Sequence, residues 1–284
     1  MDYFAFVNDY IFQANELIND LFLSLVPLYK KENGDEQDVV VPLFTALHAS
    51  SQNILVLLRI QTALHDADIL LRTVMEGTIK YCYLMNGTKD ERHEKYIEYK
   101  QVLTEIEKIS DHFKAIEAVK ILKEFSINNT LPFEVDILSD EEIQLLQAKY
   151  NSKFKTEIKR KWSYQSLLRE LASNRTEYKA QLGTIATYSL SSHFCHYDWI
   201  GVSNRLAQLE SAHEEKDEIY DVLHCYRIMS NTLSFEMFRA SEYMRGNGFH
   251  SAHTLSIIDR IFELLYKIDS FCNNSLENVW KPEF

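Results

Sequence analysis

The segment Asp66-Ala-Asp-Ile-Leu-Leu-Arg72-Thr-Val-Met-Glu76-Gly77 decides the expected fold. Its apolar residues recur at the spacing of an α-helix that is buried over most of its surface. Arg72 and Glu76 are four positions apart, so they lie one above the other on a single face of that helix. A charge that is buried without a partner is costly. The segment therefore predicts a core helix that carries a row of polar side chains.

A second polar row occurs in the segment Tyr188-Ser-Leu-Ser-Ser192-His-Phe-Cys-His196. Tyr188, Ser192 and His196 are spaced by four residues and share one face of a predicted helix. Buried polar groups need partners, so two such rows from distant parts of the chain predict one polar pocket inside a helical core. We expect Arg72 or Glu76 to contact Ser192 or His196 there.

The composition favours long helices throughout the chain. Its 284 residues are 46% hydrophobic and include only 7 Gly and 4 Pro, so helix breakers are rare. Helical periodicity continues along most of the sequence, and no strand pattern or fixed repeat is present. Asp66 can cap one helix, which runs to about Leu84 and is closed by Asn86-Gly87. Further helices are predicted from about Lys89 to Phe125 and from Glu177 to about Trp199. Ser139-Asp-Glu-Glu142 is a capping-box start for another helix. We predict an all-α fold with a single bundle-like domain of about eight or nine helices over residues 1–284. A subdomain break is expected near residues 126–138, where Asn128, Asn129 and Pro132 interrupt the pattern.

Charge and sorting signals indicate the class of protein. The net charge of −12 disfavours broad, sequence-independent binding to nucleic acid, although it does not exclude a local basic patch. No signal peptide is recognised at the N-terminus. Arg59, Arg72 or Lys80 is expected to interrupt each apolar stretch before it reaches the roughly 18 residues of a transmembrane helix. Four scattered cysteines predict reduced thiols. We therefore expect a cytoplasmic protein that does not interact with a membrane.

Two kinds of catalytic site are disfavoured by the motifs. Ser192 and His196 can touch on one helix, but no nucleophile elbow accompanies them, which argues against a serine hydrolase. His193-Phe-Cys-His196 and His250-Ser-Ala-His253 are two His-x-x-His pairs. The Glu-x-x-His spacing of di-metal helical bundles is absent. No metal ligands and no cofactor are therefore predicted.

Arg245-Gly-Asn-Gly-Phe-His250 places an arginine and a histidine with four residues between them. In a chain of this composition, about one such match arises by chance when four to six intervening residues are allowed. The pair is nevertheless well placed, because it follows a predicted helix and precedes the last one. We keep Arg245 and His250 as a weaker alternative site.

Three motifs in order resemble a bacterial all-helical family of unknown function. Its members show a Leu-x-Arg-Ser/Thr-x-x-Glu helix, a short helix led by Trp, and a Tyr-x-x-x-Ser-x-x-x-His helix. The matching segments here run from Ala67 to Glu76, from Trp162 to Leu171 and from Tyr188 to His196. The architecture of that family is similar to that of HEPN proteins, many of which are RNA-cleaving toxins or phage-defence effectors. HEPN ribonucleases also carry an arginine and a histidine separated by four to six residues.

The resemblance implies a metal-independent ribonuclease-type toxin or antiviral defence effector. In this hypothesis Arg72 stabilises phosphate charge and His196 transfers a proton, while Glu76 and Tyr188 orient them. The catalytic candidates are Arg72, Glu76, Ser192 and His196, and the ligand-binding candidates are Tyr188 and His193. The expected partners are RNA or a nucleotide, together with a second copy of the chain or a partner protein.

A non-enzymatic function is the alternative. In that case the protein is a sensor or a protein-interaction module. The polar row then either fixes helix packing, as a buried ion pair does, or holds a small ligand.

Overall fold

The computed structural model describes residues 3–29, 35–127, 129–196, 198–211 and 215–279. It is 89% helical and shows no strand among these residues, which confirms the all-α prediction. The described part contains thirteen α-helical segments, of which twelve are longer than a single turn, instead of eight or nine. The count is higher because several of the predicted long helices are interrupted, and because the single helical turn Leu131–Glu134 is not predicted from the sequence.

The chain forms two compact units, and each is described by itself. Unit 1 comprises residues 1–86 and 168–284, and unit 2 comprises residues 87–167. The helices of unit 1 are α1 (Tyr3–Tyr29), α2 (Asp35–Leu57), α3 (Leu64–Met85), α10 (Thr184–His196), α11 (Trp199–Ser211), α12 (Glu215–Gly246) and α13 (Ala252–Val279). The helices of unit 2 are α4 (Lys89–Ile97), α5 (Leu103–Glu124), α6 (Leu131–Glu134), α7 (Asp140–Lys149) and α8 (Ser152–Lys161), whereas α9 (Tyr164–Asn174) contains the boundary.

The interruptions explain where the helix predictions differ from the structure. A five-residue π-helical segment, Glu98–Val102, separates α4 from α5 in what had been predicted as one helix. The helix predicted from Glu177 to about Trp199 is divided into two 3-10 turns, α10 and α11. The break expected near residues 126–138 lies inside unit 2, between α5 and α7, and contains the single turn α6.

Helix α3 is the centre of unit 1, where it packs against α2, α10 and α12. It begins at Leu64, and the preceding Ala63 provides no side-chain cap. The prediction that Asp66 caps α3 is wrong, because Asp66 lies in the first turn and accepts a hydrogen bond from Arg205 of α11 at 2.6 Å. The predicted end is confirmed, since Asn86 is the C-cap and Gly87 follows at φ 103°.

Helix α2 is apolar over Asp38–Leu57, a stretch long enough to cross a membrane by length and composition. The expectation that charged residues interrupt every such stretch is wrong here, because Arg59 lies beyond its end. In the structure α2 packs against α1, α3 and α12, and Val40, Phe44 and Ile54 are almost fully buried. A core helix has this same composition, so the apolar stretch is weak evidence for a membrane span.

In unit 2, α5 packs against α6, α7 and α8. The predicted capping box at the start of α7 is confirmed, since the Ser139 hydroxyl accepts from the Glu142 amide and the Glu142 carboxylate accepts from the Ser139 amide. A short basic run in this unit consists of Lys149, Lys153, Lys155, Lys159, Arg160 and Lys161. Lys149 pairs with Glu105 at 2.7 Å, and Lys161 pairs with Glu98 at 2.6 Å. These acidic partners offset part of the positive charge of that run.

Candidate functional site

The two polar rows meet at Tyr188. Arg72 Nη2 donates a hydrogen bond to the Tyr188 hydroxyl at 3.0 Å, and the guanidinium carbon lies 4.6 Å from the centre of the Tyr188 ring. The same hydroxyl donates to Glu76 Oε2 at 2.9 Å. Lys80 Nζ, one turn further along α3, donates to Glu76 Oε1 at 2.7 Å. Arg72, Tyr188, Glu76 and Lys80 therefore form a continuous network that joins α3 to α10, which we call the α3–α10 network.

The charge states in the α3–α10 network follow from burial and from these bonds. Burial alone would raise the pKa of Glu76, but the hydrogen bond and charge of Lys80, with help from Tyr188 and Arg72, hold it below its ordinary value. Burial and the bond to Glu76 raise the pKa of Tyr188. At neutral pH the network thus holds two cations, one carboxylate and a neutral phenol. Its net charge is positive, and the buried Arg72 Nε has no hydrogen-bond partner in the described part of the chain.

Ser192 and His196 do not join this network. Ser192 is partly buried, whereas His196 is the last residue of α10 and is exposed. Among the described residues, neither side chain is hydrogen-bonded to Arg72 or Glu76. The expected buried pocket of five residues is therefore wrong for His196. Four-residue spacing gives the shared face of a helix, but it does not show how far along the helix that face stays buried.

His193 takes part in a separate contact between α10 and α11. Its Nδ1 lies 2.5 Å from Asp198 Oδ2, and Asp198 Oδ1 accepts a hydrogen bond from the Gly201 amide at 3.1 Å. The hydrogen bond with His193, followed by that from Gly201, holds the pKa of Asp198 below its ordinary value. The imidazole is thus oriented by a carboxylate, and about a third of its side chain is exposed.

A glycine is required for this contact. A Cβ atom at position 201 would lie 2.4 Å from the His193 carbonyl oxygen, which is closer than atoms can approach. Gly201 lets the backbone of α11 touch the backbone of α10. That approach brings Asp198 to His193 and was not predicted from the sequence.

The weaker alternative, Arg245 and His250, forms no bonded pair. Arg245 forms an ion pair with Glu242 and lies 3.5 Å from Glu177, so its charge is already balanced by carboxylates. His250 is exposed beyond the turn that contains Gly248 at φ 62°, and its side chain makes no hydrogen bond or ion pair among the described residues.

A buried cluster that was not predicted lies one turn before Arg72. Asp68 is fully buried and accepts two hydrogen bonds from Arg227 Nη2 of α12, at 2.8 and 2.7 Å. His224 Nε2 lies 2.5 Å from Asp68 Oδ2. His65 is 5% exposed, and neither of its ring nitrogens has a hydrogen-bond partner within the described residues. His65, Asp68 and His224 each offer a potential metal-ligating atom, and these three atoms lie within 4.8 Å of one another.

Protonation in this cluster is set by competing effects. Burial would raise the pKa of Asp68, but the hydrogen bond with His224 and the positive charge of Arg227 outweigh it and lower the pKa below its ordinary value. Burial lowers the pKa of His65 to about 4, with a smaller contribution from His224. Asp68 is therefore ionised and His65 is neutral at pH 7.

A second buried group of charges stabilises the contact of α12 with α2 and α3. Glu236 and Arg239 are completely buried, and Arg239 Nη2 lies 2.5 Å from Glu236 Oε1. The guanidinium also donates to Thr78 at 2.5 Å and to Ser51 at 3.2 Å. These contacts are consistent with a structural role, because the side chains have no exposed surface.

No curated protein and no solved structure matches the chain. A family of unknown function, DUF5677, matches residues 37–215, which is more than half of the chain. The matched range contains the whole of α3, α10 and α11 and ends at the start of α12. It therefore includes the α3–α10 network together with His193 and Asp198. The chain belongs to the family of unknown function DUF5677.

Proposed function

We propose that the α3–α10 network binds the phosphate of an RNA strand and that the protein is a metal-independent, HEPN-like ribonuclease. In this proposal it acts in the cytoplasm as a toxin or phage-defence effector. The observation that carries the proposal is the hydrogen bond between Asp198 and His193, because His193 lies on α10, the helix that also carries Tyr188. A carboxylate-oriented imidazole is a common general base, and a guanidinium such as that of Arg72 is a common phosphate ligand.

The positive charge of the α3–α10 network supports the proposal that this network binds a phosphate. Arg72 donates to a neutral phenol, and within the described residues the hydrogen bonds that link Arg72 to the Glu76 carboxylate run through Tyr188. Arg72 and Lys80 together outweigh the single carboxylate. A phosphate can therefore approach without displacing a direct ion pair of Arg72.

The proposed chemistry is cleavage by the 2′-hydroxyl of the RNA itself. The 2′-oxygen forms a bond to phosphorus while the bond to the 5′-oxygen breaks, giving a 2′,3′-cyclic phosphate and a 5′-hydroxyl. His193 accepts the proton of the 2′-hydroxyl at Nε2, because Asp198 occupies Nδ1. The exposed His196 donates a proton to the departing 5′-oxygen, and Arg72 stabilises the charge that develops on phosphorus oxygens.

The test is RNA cleavage by the purified protein at low salt in the presence of EDTA. His193→Ala should lower the rate by at least about 100-fold, as expected for the loss of a general base. Asp198→Asn should give a smaller loss, and His253→Ala, at an exposed histidine in α13, serves as the control with wild-type activity. Cleavage by His193→Ala at the wild-type rate would refute the catalytic assignment.

A non-enzymatic sensor or interaction module is the second candidate. Two observations favour it: the α3–α10 network links its own polar groups to one another, and His196 makes no hydrogen bond to that network among the described residues. Trp199 and Ile200, at the start of α11, are 76% and 50% exposed and offer an apolar surface to a second copy or another protein. A wild-type protein that cleaves no RNA but sediments as a dimer, and becomes a monomer on Trp199→Ser, would support this candidate instead.

A further inference from the structure

The buried cluster of α3 and α12 has the donor atoms of a metal site. His65 and Asp68 come from α3, and His224 comes from α12. Two imidazole nitrogens and one carboxylate oxygen are ligands that zinc and the neighbouring divalent transition metals accept. We propose that His65, Asp68 and His224 bind one divalent transition-metal ion, with zinc as the fitting example, and that the ion ties α3 to α12.

The unpartnered ring of His65 is the observation that points to a ligand. Buried polar side chains nearly always have a hydrogen-bond partner. His65 is 95% buried, yet neither of its ring nitrogens has such a partner in the described part of the chain. Its ring packs 4.4 Å from the Phe194 ring and 5.4 Å from the His224 ring, which holds it against the cluster. A metal ion bound to one nitrogen would give this side chain the partner that it otherwise lacks.

The bonds already present in the cluster are compatible with metal binding. Asp68 Oδ2 and His224 Nε2 share one hydrogen bond, so the ion takes the place of the proton between them. Arg227 stays bonded to Asp68 Oδ1 at 2.8 Å and orients the carboxylate, as outer partners of metal ligands commonly do. Each ligand atom must lie about 2 Å from zinc, which sets neighbouring ligand atoms about 3.3 Å apart. Asp68 Oδ2 and His224 Nε2, now 2.5 Å apart, must therefore separate by roughly 1 Å. Ligand atoms that lie as far as 4.8 Å apart must approach by a similar amount.

A simple ion pair explains less of the cluster than a metal site does. The Arg227–Asp68 pair accounts for the burial of the carboxylate, and His224 adds a further hydrogen bond. Neither contact involves the ring nitrogens of His65, so the ion pair does not explain why this imidazole is buried in the cluster. The side chain of His224 is 20% exposed, which provides a route from solvent to the ligand atoms.

The proposed metal site is independent of the proposed ribonuclease. No step of RNA cleavage passes through His65, Asp68 or His224, and the RNA assay is performed in EDTA. Failure of metal binding would leave the RNA proposal standing, and the absence of RNA cleavage would leave the metal proposal standing.

Cobalt titration of the EDTA-treated protein tests the proposal. Co²⁺ can occupy a zinc site, and when it is bound there by a small number of ligands it absorbs visible light, so binding can be followed directly. Wild type should bind one equivalent, and added Zn²⁺ should remove the absorption. His65→Phe keeps an aromatic ring beside Phe194 but removes a ligand, and it should weaken binding by more than about tenfold. His224→Gln, at a partly exposed position, is the second variant and should do the same.

The control is the double variant His250→Ala/His253→Ala, which removes an exposed His-x-x-His pair and should bind like wild type. Far-ultraviolet circular dichroism verifies that each variant is folded, and a Zn²⁺-induced rise in melting temperature in wild type alone would add support. Equal Co²⁺ affinity in wild type, His65→Phe and His224→Gln would overturn the proposal. Loss of binding in the control alone would also overturn it, because the metal would then be held by surface histidines.

Discussion

The hydroxyl of Tyr188 bridges Arg72 and Glu76, although Tyr188 is 116 positions away from Arg72 in the chain. This one atom accepts from the arginine and donates to the carboxylate, so it connects α10 to α3 by two hydrogen bonds. The first prediction is that Tyr188→Phe lowers the free energy of unfolding by about 1–3 kcal/mol, because both bonds are lost while the ring remains. Urea denaturation measures this change. Tyr266→Phe, at a 75% exposed tyrosine in α13, is the control and should change stability very little.

The second prediction concerns the pH dependence of Glu76. Its pKa is lowered in the folded protein, so the folded state binds fewer protons here than the unfolded state does. The ionised carboxylate therefore stabilises the fold above the ordinary pKa of a glutamate, and this stabilisation is lost as the pH falls through the lowered value. Glu76→Gln should be less stable than wild type at pH 7, and the difference should shrink towards pH 3–4. A difference that stayed constant over this range in thermal melts would contradict the sign of the shift.

The third prediction tests the close contact of α10 and α11. Gly201→Ala places a Cβ atom against the His193 carbonyl, so the two helices must move apart. We expect a loss of about 1–3 kcal/mol in the free energy of unfolding and a change in the His193 imidazole signals in nuclear magnetic resonance spectra. Gly183→Ala is the matched control, since a Cβ atom there meets nothing within 4 Å. Equal stability of the two variants would show that the backbones do not touch at Gly201.

The fourth prediction concerns the buried pair of Glu236 and Arg239. Glu236→Gln leaves a fully buried guanidinium without its carboxylate, and we expect a loss of about 3–5 kcal/mol in the free energy of unfolding. Asp20→Asn is the control, because Asp20 lies 3.4 Å from Arg260 in a largely exposed pair of the same unit. Exposed pairs contribute about 0–1 kcal/mol. Similar losses in the two variants would mean that Arg239 finds another partner or water.

The sequence predicted that the two polar rows meet, but it assigned the contact to Ser192 or His196, whereas the hydrogen bonds to Arg72 and Glu76 are made by Tyr188. Arg72, Glu76 and Tyr188 are polar residues on otherwise apolar helices, so their need for partners could be inferred. His196 shares the spacing of Tyr188, yet α10 ends there and leaves it exposed. The spacing of residues along one helix shows which of them share a face. It does not show which part of that face a neighbouring helix covers.

The cluster around Asp68 was missed for a different reason. Asp68 is four residues before Arg72, so it extends the same row, and this was the signal in the sequence. Its partner His224 is 156 positions away on α12, and nothing in the local pattern of α12 identifies which residue of α3 it meets. Long-range pairs of this kind depend on the relative position of two helices, which periodicity does not give.

The polar residues of α12 that bond to other parts of unit 1 also restrict how that helix can sit in the unit. From His224 to Glu242 they extend over about 27 Å at 1.5 Å per residue. They include His224 and Arg227 bound to Asp68, Arg239 bound to Thr78, and Glu242 bound to Arg175 at 2.8 Å. Apolar ridges alone allow a helix to slide by one turn and repack, but such a slide would break every one of these bonds at once. Polar side chains thus give α12 a single axial register, and a one-residue deletion within it should disrupt the whole helix interface.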